Sequence, residues 1–262
     1  MLKPMNLVLS VIVLAALSAA LFAQTPAAPG AATAAQDLSG VWDRAGALKK
    51  GGGGPGQYVG KLVLCTDYVP CSAFTKDEPP MTPWGAELYH KNHTDPNPFA
   101  DGKLAVDPAY NCFPPGPTRL YTMPRPFQIV HQPGQVLLLF EQDHWVRRIY
   151  TDGRQHPQDW PFGWMGHSIG KWDGDTFVVD TTGLNDRSWI DGLGHPHSDA
   201  LHVVERFRRT NHDTLQIDFI FDDPKVYTRS WTGKKVYALM PNSFDMVEDV
   251  FCEDVFRLGM RP

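Results

Sequence analysis

A single carboxylate stands on an otherwise apolar strand face in the segment 201–207. Strand side chains alternate between two faces, which places Glu205 on the face that carries Leu201, Val203 and Phe207. Burial disfavours the charged form of a carboxyl group. Glu205 is therefore expected either to act as a general acid or base in a pocket or to form a structural ion pair with an inward-pointing arginine.

Two adjacent arginines in the segment 145–150 offer that cation, and one of them must point inward whichever strand face is buried. Arg148 shares its face with Val146 and Tyr150, and Arg147 lies on the opposite face. We expect Arg148 to point inward. Its planar guanidinium group would bind an oxyanion of a ligand or pair with Glu205, and the two roles are compatible.

The segment 152–167 interleaves ionisable and aromatic side chains and is expected to form the rim of a pocket. His156 and Trp164 lie within it, and His167 opens the strand that follows. Aromatic rings beside imidazoles suit a small oxygenated ligand with an aromatic or alicyclic ring. The plainer interpretation is a crossover loop whose rings pack on the sheet and whose Asp152 forms a turn.

Three histidines follow in the segment 194–202. His195 and His197 have the spacing of paired metal ligands, and Glu205 lies downstream. His202 and Glu205 fall on opposite strand faces, however, so the four groups do not converge on a regular strand. We therefore expect no metal site and assign His197 to the ligand pocket. Asp180, at the end of another predicted strand, would orient one of these histidines.

The elements that would position these residues are short strands separated by turn signals. The first begins near Leu38, and the others are Phe127–Gln132, Val136–Gln142, Trp145–Thr151, Ser168–Trp172, Thr176–Thr181, Leu201–Thr210, Thr214–Phe221, Val226–Trp231 and Glu248–Phe256. Strands joined by tight turns form an antiparallel meander, and a meander of this size closes to remove its edges. The predicted fold class is all-β, an antiparallel meander closed into a barrel.

Residues 70–126 are dense in proline, which removes the backbone donors of a strand. We expect this segment to be irregular and to wrap over the core. One short helix is predicted within it, because Thr82 can cap a helix, Pro83 suits its first position and 84–90 can continue it.

The first residues carry an export signature. Lys3 precedes an apolar run over 6–22, and small residues follow, with a cleavage point after Ala23. We predict a signal peptide over 1–23, a flexible Ala/Pro-rich spacer over 24–36 and a single domain over 37–262. An uncleaved N-terminal anchor is the alternative. The expected location is the periplasm or the extracellular medium, with no membrane contact after cleavage.

All four cysteines lie in the predicted mature part, and an oxidising compartment favours two disulfides. We expect Cys65–Cys71 and Cys112–Cys252, although four cysteines allow three connectivities. The net charge of −5 is well mixed along the chain and forms no basic stripe, which argues against nucleic acid as a partner.

Two sets of residues resemble known families. Gly40-Val41-Trp42, at the start of the first strand, is similar to the opening of lipocalins in the calycin superfamily, and implies a lipocalin-like barrel. The patterns IYTDGRQHP over 149–157 and GHSIGKWDGDT over 166–176 resemble a family of exported bacterial proteins without an assigned reaction. This second resemblance covers about residues 112–231, and it implies a location and a fold rather than an activity.

Together these features predict an exported barrel whose polar-lined pocket performs acid–base chemistry without a cofactor, such as elimination, hydration or isomerisation. His167 and Glu205 would exchange protons, and Arg148 would stabilise negative charge on the substrate. The residues expected to orient or line a small-molecule ligand are Tyr150, His156, Trp164, Asp180 and His197. The alternatives are a non-catalytic ligand-binding protein of the same fold and a metal-dependent enzyme that uses His195 and His197.

Overall fold

The computed structural model describes residues 36–44, 72–92, 107–249 and 252. Within these residues nine strands follow one another around a closed barrel, and the last strand pairs with the first. The strands are β1 Gly40–Arg44, β2 Phe127–Gln132, β3 Gln135–Phe140, β4 Val146–Tyr150, β5 His167–Asp173, β6 Thr176–Thr182, β7 His202–Asn211, β8 Thr214–Asp222 and β9 Trp231–Leu239. The predicted barrel is confirmed.

One pair of neighbouring strands departs from the predicted antiparallel meander. β4 and β5 are parallel, with Ile149 opposite Ser168 and Tyr150 opposite Ile169. The other neighbouring pairs are antiparallel. The connection 151–166 is long enough to return the chain to the end of the barrel where β4 begins, as a parallel neighbour requires. The barrel is therefore a mixed one.

The helices of the described residues are α1 Pro83–Asn92 and α2 Gly116–Leu120, with short 3-10 turns at Pro108–Asn111 and Gln142–His144. The predicted cap of α1 is confirmed, because the Oγ1 atom of Thr82 accepts the backbone N–H of Gly85 at 3.0 Å. A side chain at Gly85 would meet the carbonyl oxygen of Val226 at 2.3 Å, so glycine permits the close approach of α1. Within the described ranges, no helix is long and apolar enough to span a membrane.

The strand predicted over Val226–Trp231 is wrong. Val226 and Tyr227 lie in a turn, where both backbone N–H groups donate to the carbonyl oxygen of Asp223, and β9 begins only at Trp231. Glu248 and Asp249 are not in a strand. The rest of the strand predicted over 248–256 lies outside the described residues, apart from Cys252. The predicted signal peptide and nearly all of the spacer also lie outside them.

The barrel interior is filled by large side chains. Tyr121, directly after α2, is 1% exposed and makes edge-on or tilted contacts with rings from five elements of the inner wall. These rings belong to Phe127, Phe140, Phe207, Phe219 and Tyr237. Tyr121 thereby fills the space in which the sequence predicts a ligand pocket.

One predicted disulfide is confirmed. Cys112 follows the 3-10 turn Pro108–Asn111, and it is bonded to Cys252, 140 residues along the chain. The bond ties the C-terminal segment to the chain before β2. The other predicted disulfide, Cys65–Cys71, lies outside the described residues.

Candidate functional site

The inward-pointing arginine of β4 is Arg147. It is 1% exposed and stands on the same buried face as Ile149, whereas Arg148 is exposed to solvent. The prediction that Arg148 points inward is therefore wrong. In β3, Leu138 pairs with Arg147, and because Leu138 is buried, this register turns Arg147 toward the core.

Arg147 and Glu205 form a closed ion pair inside the barrel. The two terminal nitrogens of Arg147 donate to the two carboxylate oxygens of Glu205. They also donate to Tyr121 Oη and Thr181 Oγ1, each at 2.9 Å, and Ser168 Oγ lies 3.2 Å from one of them. The charge of Glu205 helps to raise the pKa of Arg147 against the burial that lowers it. This pairing matches the structural interpretation of Glu205.

His167 and Glu205 are not brought together, because they lie on opposite faces of the barrel wall. The side chain of Ser168 faces the interior next to Arg147, so its neighbour His167 faces outward. Glu205 is fully buried on the inner face of β7. The expected proton exchange between these two groups therefore has no support in the geometry.

Four polar side chains on the outer face of the barrel instead form a continuous chain of hydrogen bonds, which we call the outer histidine cluster. Nδ1 of His156 lies 2.8 Å from Nδ1 of His167. Nε2 of His156 lies 2.9 Å from one carboxylate oxygen of Asp180, and Nε2 of His202 lies 3.0 Å from the other. Three of these residues, His156, His167 and Asp180, were predicted site residues.

Three strands and one loop position this cluster. His167 opens β5, Asp180 lies in β6 and His202 opens β7, so their side chains reach the same outer surface from neighbouring strands. His156 comes from the connection 151–166, which crosses that surface. The parallel pairing of β4 and β5 requires this crossing. The crossing connection in turn places His156 beside the three strand residues of the cluster.

The hydrogen bonds determine which ring nitrogen carries each proton. The carboxylate of Asp180 only accepts, so His156 and His202 each donate from Nε2. A neutral His156 then has a lone pair on Nδ1, and His167 must donate to it from its own Nδ1. This leaves Nε2 of His167 as the unprotonated, basic nitrogen of the chain. Asp180 therefore orients an imidazole, the role predicted for it from the sequence.

The ionisation of the cluster follows from the same contacts. Burial lowers the pKa of His167, and repulsion by the imidazole of His156, when protonated, and by the guanidinium group of Arg154 lowers it further. The hydrogen bond to Asp180 raises the pKa of His202. The same bond lowers the pKa of Asp180 against partial burial, which raises it. Near neutral pH the cluster thus holds an ionised carboxylate and, at His167, a neutral imidazole.

Aromatic rings cover the buried end of the cluster. The ring of Tyr150 stacks on His167 at 5.3 Å between centroids, and Trp160 contacts His167 edge-on at 4.6 Å. The guanidinium group of Arg154 lies 3.7 Å from the centroid of Tyr150 and is held there by an ion pair with Asp152. His167 is in consequence only 2% exposed. Tyr150, predicted to orient the ligand, contacts the outer histidine cluster through His167.

A glycine makes room for the covering tryptophan. Gly183 follows β6 with a φ of +71°, and a Cβ atom there would come within 2.8 Å of Cδ1 of Trp160. A larger residue would therefore strain the backbone and push the indole ring away from its place over His167.

Two other predicted site residues lie elsewhere. Trp164 stacks on Phe113, at 5.7 Å between ring centroids. His197 is buried, with Nε2 3.0 Å from Ser188 Oγ and Nδ1 donating to the carbonyl oxygen of Ser198. Both ring nitrogens of His197 are thus occupied, and burial lowers its pKa, as expected for a neutral histidine of the core.

The proposed metal ligands do not converge. Nδ1 of His195 is held by Asp191 at 2.7 Å, whereas His197 bonds to serine oxygens. In the part of the chain that the structure describes, no group of three or more histidine, cysteine or acidic side chains is arranged to hold a metal ion.

Sequence reasoning missed two residues here: His202, which belongs to the outer histidine cluster, and Trp160, which covers it. His202 was excluded because it does not share a face with Glu205, although that same alternation places it beside Asp180. Trp160 lies in the predicted rim, but no periodicity in a loop indicates which ring covers His167.

Comparison with protein-family models, with curated protein sequences and with solved structures found no match to this chain.

Proposed function

We propose that this protein is an exported enzyme that performs cofactor-free acid–base chemistry at the outer histidine cluster, of the elimination, hydration or isomerisation type. The observation that carries the proposal is the hydrogen-bonded chain from His167 through His156 to Asp180. It has the logic of a catalytic triad, in which a carboxylate fixes the tautomer of an imidazole and stabilises the cation that forms on protonation.

In this mechanism Nε2 of His167 removes a proton from the substrate. The positive charge that develops on His167 is stabilised through His156 by the carboxylate of Asp180. The mechanism therefore needs no acidic group inside the barrel. The lowered pKa of His167 keeps this nitrogen unprotonated near neutral pH. His202, bonded to the other oxygen of Asp180 and partly exposed, donates a proton to the substrate. Exchange with solvent then removes the proton from His167 and restores the one that His202 lost, which completes the cycle.

The substrate is a small oxygenated molecule with an aromatic or alicyclic ring. Trp160 covers His167 and is itself 39% exposed, and Phe162 in the same connection is 62% exposed. A planar ring would pack against such side chains while its oxygen atoms bond to the imidazoles. Trp160 must move aside for a substrate to reach His167.

The proposed test is deuterium incorporation from D2O into the carbon acids of a panel of cyclohexenones and hydroxylated aromatic ketones. The wild-type protein should catalyse exchange for at least one member. His167→Gln and Asp180→Asn should reduce that rate by about 10²-fold or more. His212→Gln is the matched control, since His212 lies on an exposed turn and should leave the rate unchanged. Equal rates in wild type and His167→Gln would refute the mechanism.

A non-catalytic ligand-binding role is the second candidate, and the exposed rings favour it. Phe113 is 48% exposed and stacks on Trp164, which extends the aromatic surface beyond the connection 151–166. A ligand-binding protein would bind a member of the same panel without exchanging its protons, and its affinity would survive Asp180→Asn.

The proposal includes a periplasmic or extracellular location and a lipocalin-like classification of the barrel. The Cys112–Cys252 disulfide supports an oxidising compartment. The buried Trp42 in β1, which follows the Gly40-Val41 pair, supports the lipocalin-like interpretation. Fractionation of the native host and mass spectrometry of the mature N-terminus would test the export and the cleavage after Ala23.

A further inference from the structure

Two buried nitrogen atoms at the end of the barrel where β9 begins have no hydrogen-bond partner. They are Nε2 of His195 and Nε1 of Trp231, and their rings lie 6.1 Å apart between centroids. Buried polar atoms are nearly always bonded in folded proteins, so two orphans on adjacent rings point to an oxygen-bearing molecule between or beside them.

The orientation of His195 is firmly set by Asp191. Nδ1 of His195 donates to one carboxylate oxygen at 2.7 Å, and the other oxygen accepts the backbone N–H of Leu193 at 3.0 Å. Asp191 is fully buried. Nδ1 is therefore committed to Asp191, and Nε2 is the nitrogen that His195 presents to a ligand.

The surroundings favour a protonated His195. Burial lowers the pKa of His195, but the hydrogen bond and charge of Asp191, helped by Glu78, outweigh it and raise the pKa above its ordinary value. Tyr89 stacks on the same ring at 4.6 Å with an interplanar angle of 1°, which fixes its plane. A protonated His195 has an N–H group on Nε2, and Trp231 can only donate. The site thus offers two donors to an acceptor.

A carboxylate already lies near Nε2 of His195 without a hydrogen bond to it. Oε1 of Glu78 lies 3.6 Å from Nε2 of His195, beyond hydrogen-bond distance, and the Glu78 side chain is 58% exposed. A largely solvated glutamate is easily displaced. Its position marks where the carboxylate of a ligand would lie.

We propose that His195 and Trp231 form a binding site for a small carboxylate, whose two oxygens accept the Nε2–H of His195 and the Nε1–H of Trp231 and displace Glu78. Lys235 lies on the inner face of β9 opposite the buried Ile217 and interacts with the charge of Asp191. Burial lowers the pKa of Lys235 to about 7, so it carries its charge at pH 6. The site shares no residue with the outer histidine cluster, so it stands or fails independently of the proposed function.

The test is isothermal titration calorimetry at pH 6 with sodium benzoate and with benzamide, its uncharged analogue. Benzoate should bind at least 10-fold more tightly than benzamide. Trp231→Phe keeps the apolar ring and removes only the N–H donor, so it should weaken benzoate binding by about 10-fold or more. Equal binding of benzoate and benzamide, no detectable binding of benzoate, or unchanged affinity in Trp231→Phe would overturn the proposal.

A second variant remains informative if Trp231→Phe does not fold. Glu78→Gln changes a mostly exposed side chain and removes the competing charge, so benzoate binding should tighten by several-fold. The matched control is Glu87→Gln, on the exposed face of α1, which should leave the affinity unchanged. Weaker binding in Glu78→Gln would show that Glu78 belongs to the site as a partner, contrary to the displacement described here.

Discussion

Arg147 of β4 and Glu205 of β7 are joined across the barrel interior by two hydrogen bonds, and each side chain is 1% exposed. Their strands are not neighbours in the sheet, so the pair links opposite parts of the wall. Removal of one partner would leave the other buried without a counter-charge, which is much more costly than loss of an exposed pair.

Glu205→Gln and Arg147→Met should therefore each lower the free energy of unfolding by about 3–5 kcal/mol. The double variant Arg147→Met/Glu205→Leu should lose much less than the sum, because it leaves no buried charge. Arg148→Ala is the matched control on the exposed face, and its change should stay within about 0.5 kcal/mol. Urea denaturation measures all four. If Glu205→Gln left the free energy of unfolding unchanged, this would contradict the closed, buried ion pair.

The His202–Asp180 contact should stabilise the protein only over a limited pH range. The folded pKa of His202 is raised, so its contribution is fully present below about pH 6.5 and is lost as the pH rises through the folded pKa. The folded pKa of Asp180 is lowered, so its contribution is present above about pH 3.9 and is lost as the pH falls through the folded pKa.

His202→Gln should accordingly cost more stability at pH 5.5 than at pH 9. The difference should be below about 1 kcal/mol, because both side chains are 39% exposed and solvent screens the pair. Chemical denaturation at the two pH values measures it, with His212→Gln as the control for an exposed histidine. The same cost at both pH values would count against this ion pair.

The Cys112–Cys252 disulfide closes a very long loop, so its removal should have a large effect on stability. The variant Cys112→Ala/Cys252→Ala should lower the free energy of unfolding by about 2–5 kcal/mol, since the unfolded chain regains the freedom that the cross-link removes. Denaturation of this variant is preferable to adding a reductant, which would also reduce the predicted Cys65–Cys71 disulfide. An unchanged unfolding midpoint would show that the C-terminal segment contributes little.

Gly183 should control the position of Trp160 over His167. Gly183→Ala places a methyl group where φ is positive and against the indole ring, and it should destabilise the protein by about 1 kcal/mol or more. It should also shift the NMR resonances of His167. Gly153→Ala is the matched control, because φ is also positive there but a Cβ atom meets nothing within 4 Å. If both variants shift the NMR resonances of His167 equally, the contact with Trp160 is not the cause of the shift.

Local pattern was enough to predict several features that the structure confirms. Alternation in 201–207 identified Glu205 as buried, because the period of a strand is independent of its partners. Thr82 and Pro83 located the start of α1, since a helix cap depends on adjacent residues. Alternation also places His167 and Ser168 on opposite faces of one strand, although only the contact of Ser168 with Arg147 shows which of them faces inward.

Other features depended on the tertiary structure. Alternation shows that Arg147 and Arg148 face opposite ways, but only the register with β3 decides which one is buried. His156 comes from a loop without periodicity, so only the path of the connection 151–166 brings it between His167 and Asp180. The sequence alone therefore determined an all-β chain and the types of residue available for acid–base chemistry. Strand register and the parallel β4–β5 crossing decided which of them meet, because contacts between distant segments arise only when the barrel closes.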